Sequence, residues 1–232
     1  MRVLGINTSS HINAIGLIDG NQILADLTWE AMDNSLQKII LNIDLVLKEK
    51  GLTLENVEGF AVGIGPGSWT GLRVGVTVGK ILPFTTNKPI CGISSLDALA
   101  YQARDNTVLL CPLIDAGKET VYGAFYRSQE GTVFKVGDYY VGDIQGLLES
   151  IKEPILFLGK AALLYNYIIV GELGSLASFG DELEDVQKGS SIALLASPHF
   201  ERGESDNALS LAPLYLKESA AQALLARHQT MS

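Results

Sequence analysis

Apolar residues open the chain in short runs, then recur at helical spacing. Arg2 to Ile6, Asn13 to Ile18 and Gln22 to Trp29 read as three strands. Asp19-Gly20, between the second and third, is a type I′ hairpin signal. Asp33, Asn34 and Ser35 offer helix N-caps, and Leu36 to Lys50 reads as a long helix that Gly51 stops. Phe60 to Ile64 is a short buried strand, broken by Gly65, Pro66 and Gly67. Ser68 or Thr70 can cap the next helix, which runs to Phe84. Ile90 to Ile93 is a strand, and Ser95 to Arg104 a helix capped by Ser94 or Ser95.

After Asp105-Asn106 the pattern starts again. Thr107 to Ile114, Thr120 to Arg127 and Thr132 to Tyr140 are strands, Asp143 caps a helix to Ile151, and Pro154 to Leu158 is a strand ending at Gly159. Three strands, a helix and a strand thus occur twice, in order of elements rather than in letters. From Gly171 to Gly189 the pattern gives loops and short pieces. Ser190 to Arg202 is a last helix despite Pro198, and the tail from Ala220 is a frayed helix at best. The expected fold class is α/β, with two mixed-sheet domains, 1–105 and 106–232, facing a cleft. The turns Asn7-Thr8-Ser9 and Asp115-Ala116-Gly117 then both point into it, the arrangement by which actin- and Hsp70-like ATPases hold phosphate.

Two helices carry more than a core requires. In the first, Leu36, Ile39, Ile40, Ile43 and Leu47 make one stripe, and Leu41, Leu45 and Val46 widen it past a single face. In the second, Gly71, Gly75 and Gly79 fall on one line, each a turn apart. A mid-helix glycine costs about 1 kcal/mol against alanine, so three need a reason. Close approach of another helix is the physical one. The expected docking surface therefore comprises Leu36, Ile39, Ile40, Ile43, Gly71, Leu72, Gly75, Val78 and Gly79.

Composition narrows the chemistry. The 232 residues carry a formal charge of −9 and no Lys/Arg cluster, which disfavours an unaided grip on nucleic acid. Cys91 and Cys111 sit in apolar runs and read as buried strand thiols. No apolar run reaches membrane-spanning length, so a cytoplasmic protein is expected. Gly65 to Gly71 is neither a P-loop, which ends in Gly-Lys-Ser/Thr, nor a dinucleotide fingerprint. An anion or nucleotide site would draw on Asn7, Thr8, Ser9, Ser68, Arg73 and Asp115, with a helix N-terminus as attractor. Asn7 is neutral and cannot serve as a base, and Asp115 is a single carboxylate. His11, His199 and His228 have no paired spacing, so no metal site is expected. The serines in turns have no histidine partner in sequence.

Leu4 to Ser9, Gly65 to Gly75, Ile93 to Leu96, Ile114-Asp115-Ala116 with Glu119 to Tyr122, and Pro213 to Leu216 stand in the order seen in the TsaB (YeaZ) family. The resemblance spans nearly the whole chain, and Gly65 to Arg73 is its most specific stretch. It implies an ASKHA (actin/Hsp70-like) duplicated ribonuclease H-like fold. It implies a non-catalytic subunit for the threonylcarbamoyl modification of adenosine 37 in tRNA (t6A). Such a subunit pairs with TsaD through N-terminal helices, meets TsaE through the complex, forms a homodimer when alone, and touches tRNA only indirectly. No cofactor is implied beyond a nucleotide at the partner interface. Older glycoprotease or peptidase M22 labels find no H-x-x-x-H here. Four departures stand out: Asn7 for an aspartate, no histidine near Ser35, Gly117 for an arginine, and Trp69 for a phenylalanine. The rival reading is an ASKHA ATPase or kinase-like enzyme using Asp115.

Overall fold

The computed structural model describes residues 1–31, 35–180 and 187–217. The Asp33 and Asn34 caps and the tail from Ala220 lie outside the described residues, as does the side chain of Ser35.

The first sheet has the order β3-β2-β1-β4-β5. Its strands are β1 (Arg2–Asn7), β2 (Ile12–Asp19), β3 (Gln22–Glu30), β4 (Gly59–Gly65) and β5 (Ile90–Ser94). β1 pairs antiparallel with β2 and parallel with β4. Helices α1 (Ser35–Glu49), α2 (Trp69–Thr86) and α3 (Ser95–Gln102) follow β3, β4 and β5. The second sheet has the equivalent order β10-β9-β6-β7-β8. Its strands are β6 (Leu109–Asp115), β7 (Thr120–Gln129), β8 (Thr132–Asp143), β9 (Ile155–Leu158) and β10 (Ala177–Phe179). The helices of that half are α4 (Ile144–Leu148), α5 (Lys160–Leu164) and α6 (Asn166–Leu173), and α7 (Gly189–Glu201) comes last. The repetition of elements is thus a repetition of sheet topology, with a mixed sheet and flanking helices in each half.

Three local expectations change. The β2–β3 hairpin turns at Gly20-Asn21, between the paired Asp19 and Gln22. Among its residues only Gly20 takes a positive φ, so the type I′ turn, which needs two, is not made. Gly171 to Leu173, expected as loops and short pieces, instead close helix α6, whose apolar residues follow no single stripe. Helix α7 does not stay with the second sheet. It packs across β1 and β2 of the first, where Gly5, Gly16 and Gly189 bring backbones so close that a Cβ at any of them would collide with main chain. Asp26 on β3 accepts hydrogen bonds from the Ser190 amide (2.9 Å) and the Ser190 hydroxyl, satisfying orphan donors at the α7 N-terminus.

One core lies between the first sheet and α1 and α2, around Leu4, Ile6, Ile39, Ile43, Phe60 and Val78. Another lies under α7, around Val3, Ile18, Ala193 and Phe200. The second sheet packs Cys111, Val121 and Phe157 against α4 to α6. Both cysteines are buried free thiols, as their apolar strands predicted.

Candidate docking face and inter-sheet cleft

Helix α1 divides its apolar residues between two faces. Ile39, Ile43, Val46 and Leu47 are buried against the first sheet and α2. Leu36, Ile40, Leu41 and Leu45 are exposed, Leu41 to 60 %. A single stripe is enough to seat a helix, so this second set is surplus to folding.

Helix α2 lies beside α1 and behaves differently. Its N-cap is Ser68, whose Oγ accepts from the Gly71 amide at 3.3 Å. The glycine line faces inward. A Cβ at Gly71 would overlap the Thr8 carbonyl, one at Gly75 the Thr8 Oγ1, and one at Gly79 would reach Val62 Cβ at 3.0 Å. The close approach that these glycines permit is to the chain's own first turn and β4, not to a foreign helix. Leu72 and Val78 are buried with them. Of the nine residues expected at a docking surface, Leu36 and Ile40 are exposed. Ile39, Ile43, Leu72, Gly75, Val78 and Gly79 are core, and Gly71 is half-buried. The exposed apolar residues of α2 are Trp69, Ile81 and Phe84, the last to 76 %. Sequence reasoning passed over Leu41, Leu45, Ile81 and Phe84 as site residues. The signal for the first two was already in the widened α1 stripe.

The C-terminal segment runs back along α2. Leu214 donates its amide to the Ile64 carbonyl at 2.7 Å, and Lys80 Nζ donates to the carbonyls of Leu209 and Leu211. Tyr215 stacks on Trp69 with centroids 4.2 Å apart, and the Arg73 guanidinium lies 4.3 Å over the same indole.

Between the sheets lies a cleft of about 870 Å³. Ser9 and Ser68 line it from one side and Asp115 from the other, together with Lys160 and Gln187, which sequence reasoning did not single out. Of the remaining candidates for an anion, Asn7 and Thr8 are buried beneath the turn, and Arg73 is held on Trp69. The set therefore loses its cation. Asp115 Oδ1 accepts from the Gly117 amide at 3.0 Å, closing the second turn on itself. Among the described residues no group of three His, Cys, Asp or Glu could hold a metal ion.

A buried polar knot joins the halves at α3. The Tyr126 hydroxyl on β7 donates to Asp97 Oδ1 at 2.5 Å, and Tyr139 on β8 lies 3.4 Å from the same oxygen. Burial pushes the Asp97 carboxyl above its ordinary range, against the two tyrosine hydroxyls and Lys135, which pull it down. Burial also pushes the Cys91 thiol up to about 12, aided by Asp206 and Glu204, so it is no nucleophile at neutral pH.

Known proteins of similar sequence and fold bear on this architecture. The profile of the TsaD family, tRNA N6-adenosine threonylcarbamoyltransferase, matches residues 29–224. The chain is 28 % identical over 226 residues to the tRNA threonylcarbamoyladenosine biosynthesis protein TsaB of Bacillus subtilis, covering 96 % of this chain and 97 % of that one. Its fold is similar to YeaZ from Pseudomonas aeruginosa, with a TM-score of 0.77, 23 % identity, and coverage of 93 % of this chain and 99 % of that one. More distantly it is similar to the activator of 2-hydroxyisocaproyl-CoA dehydratase from Clostridium difficile, a structure with bound ADPNP. There the TM-score is 0.51 at 12 % identity, covering 89 % and 99 %. The duplicated mixed sheets are thus of the ASKHA kind, and the chain belongs to the TsaB/YeaZ branch of the threonylcarbamoyltransferase (TsaD) family.

Proposed function

We propose that this chain is a cytoplasmic, non-catalytic scaffold subunit that pairs with a TsaD homologue in forming t6A on tRNA. The observation that carries the reading is the surplus apolar face of α1, Leu36, Ile40, Leu41 and Leu45, which folding does not use. Monomeric proteins rarely leave such a patch bare. A second member of the same family as partner is supported by a relative matched over nearly its whole length and named for threonylcarbamoyladenosine biosynthesis, the modification that the family's transferase is named for. The net charge of −9 assigns tRNA contact to that partner rather than to this chain. TsaE joins through the complex. The division into an N-terminal unit, 1–105, that docks and a C-terminal unit, 106–232, that braces it is part of the proposal, with α7 returning to the first sheet. The enzyme reading rests on Asp115, a single cleft carboxylate whose Oδ1 is bonded to the Gly117 amide of its own turn.

The test is co-purification with the TsaD homologue of the same organism, followed by tRNA modification with and without this chain. Leu41→Asp with Leu45→Asp is expected to leave thermal stability nearly unchanged and to weaken pairing by at least roughly tenfold. Wild-type pairing by that double variant, or full tRNA modification in the chain's absence, would reject the proposal.

A further inference from the structure

The resemblance to ATPases of this architecture puts a phosphate against the first turn, and the dehydratase activator of similar fold carries ADPNP. A magnesium nucleotide held there needs donors that face the cleft and a carboxylate beside them. The turn of this chain has no carboxylate, and its donors are already taken. Asn7 is fully buried, and its amide nitrogen donates to Gln187 Oε1 at 2.9 Å and to the Gln187 carbonyl at 3.3 Å. The Ser9 hydroxyl donates to the same Oε1 at 2.6 Å. The Thr8 hydroxyl donates to the Gly71 carbonyl at 2.7 Å, and Asn7 Oδ1 accepts from the Ser9 amide at 3.2 Å. Each side-chain donor of the turn is engaged by the chain itself.

We infer that Gln187 occupies the phosphate end of the cleft as a built-in substitute for a ligand oxygen, closing it to magnesium nucleotides. One neutral oxygen takes the two hydrogen bonds that a phosphate oxygen would take, without charge and without a metal. Gln187 is itself buried, so a phosphate could enter only by expelling an amide from its partners. The residue sits where the chain comes back from the second sheet to begin α7. The same contact therefore ties that return to β1 and holds the turn in one shape whether or not nucleotide is in solution. This holds independently of whether the α1 face docks a partner.

The full-length chain is titrated calorimetrically with Mg-ADP, Mg-ATP and inorganic phosphate. Its unfolding is then followed in phosphate against chloride at equal ionic strength. The wild type is expected to give no saturable heat and no phosphate-specific rise in Tm. Gln187→Ala, which uncovers the Asn7 amide and the Ser9 hydroxyl, is expected to gain a phosphate-specific rise. Gln187→Glu keeps the acceptor and adds a repelling charge, so it is expected to fold and gain none. Saturable nucleotide binding by the wild type, with amide shifts at Ser9 and Gln187, overturns the inference. So does a folded Gln187→Ala that responds no more than the wild type. If that variant does not fold, the wild-type titration decides together with Gln187→Glu, whose phosphate response would overturn it.

Discussion

At Gly75 the missing side chain makes room for the hydroxyl of Thr8, which is bonded to Gly71 one turn earlier. Gly75→Ala therefore overpacks the core, and a loss of roughly 1–3 kcal/mol is expected in denaturant unfolding. Thr8→Ala in the same chain removes the colliding oxygen and should recover part of that loss. Partner affinity of the folded fraction should not change, because the glycine is sealed in. Asp97 gives a second prediction. Its folded-state pKa lies above the unfolded one, so the folded chain binds this proton more tightly. The stability this contributes is complete below the unfolded value and is lost as pH rises through the folded one. Asp97→Asn keeps an oxygen for Tyr126 and cannot ionise. The Tm of the wild type should fall relative to that variant as pH rises from about 4 through the raised folded-state value. Parallel Tm profiles for the two proteins would contradict it.

Elements differ in how much of their role a one-dimensional pattern carries. Helix α1 was legible as a helix and as too apolar for one face, since both follow from spacing alone. Which of its leucines stay outside depends on how the helix is rotated against the sheet, and spacing does not encode that. The three α2 glycines were legible as a close-approach line, but the approaching body proved to be the turn after β1, 63 residues away at the Thr8–Gly71 bond. Helix α7 was visible from its apolar pattern, yet its cap was not, because the capping carboxylate is Asp26 on another strand. Asp26→Ala leaves the Ser190 amide without its acceptor. It should cost roughly 1–2 kcal/mol and speed hydrogen exchange in the first turn of α7. Unchanged exchange there would show that water caps the helix equally well.

For the molecule as a whole, the α1 face and the acidic surface set opposite tendencies. Leu36, Ile40, Leu41 and Leu45 favour association, while a charge of −9 opposes it at low salt. Without a partner the chain is expected to dimerise through α1. The dimer should tighten with added salt, as screening removes repulsion and leaves apolar burial in place. Light scattering at two ionic strengths checks this. The Leu41→Asp, Leu45→Asp variant should stay monomeric in both, and its dimerisation would place the contact elsewhere.

Local spacing determined the strands, the long helices, the duplicated order of elements and the burial of both cysteines. Each of these follows from side-chain period and from the few residues that cap or break a segment. Tertiary structure alone decided which face of each helix is free, where α7 packs, and that Gln187 meets Asn7 across 180 positions of chain. Those outcomes rest on which surfaces exclude water and which buried donors find acceptors, and both are settled only when distant segments close on one another.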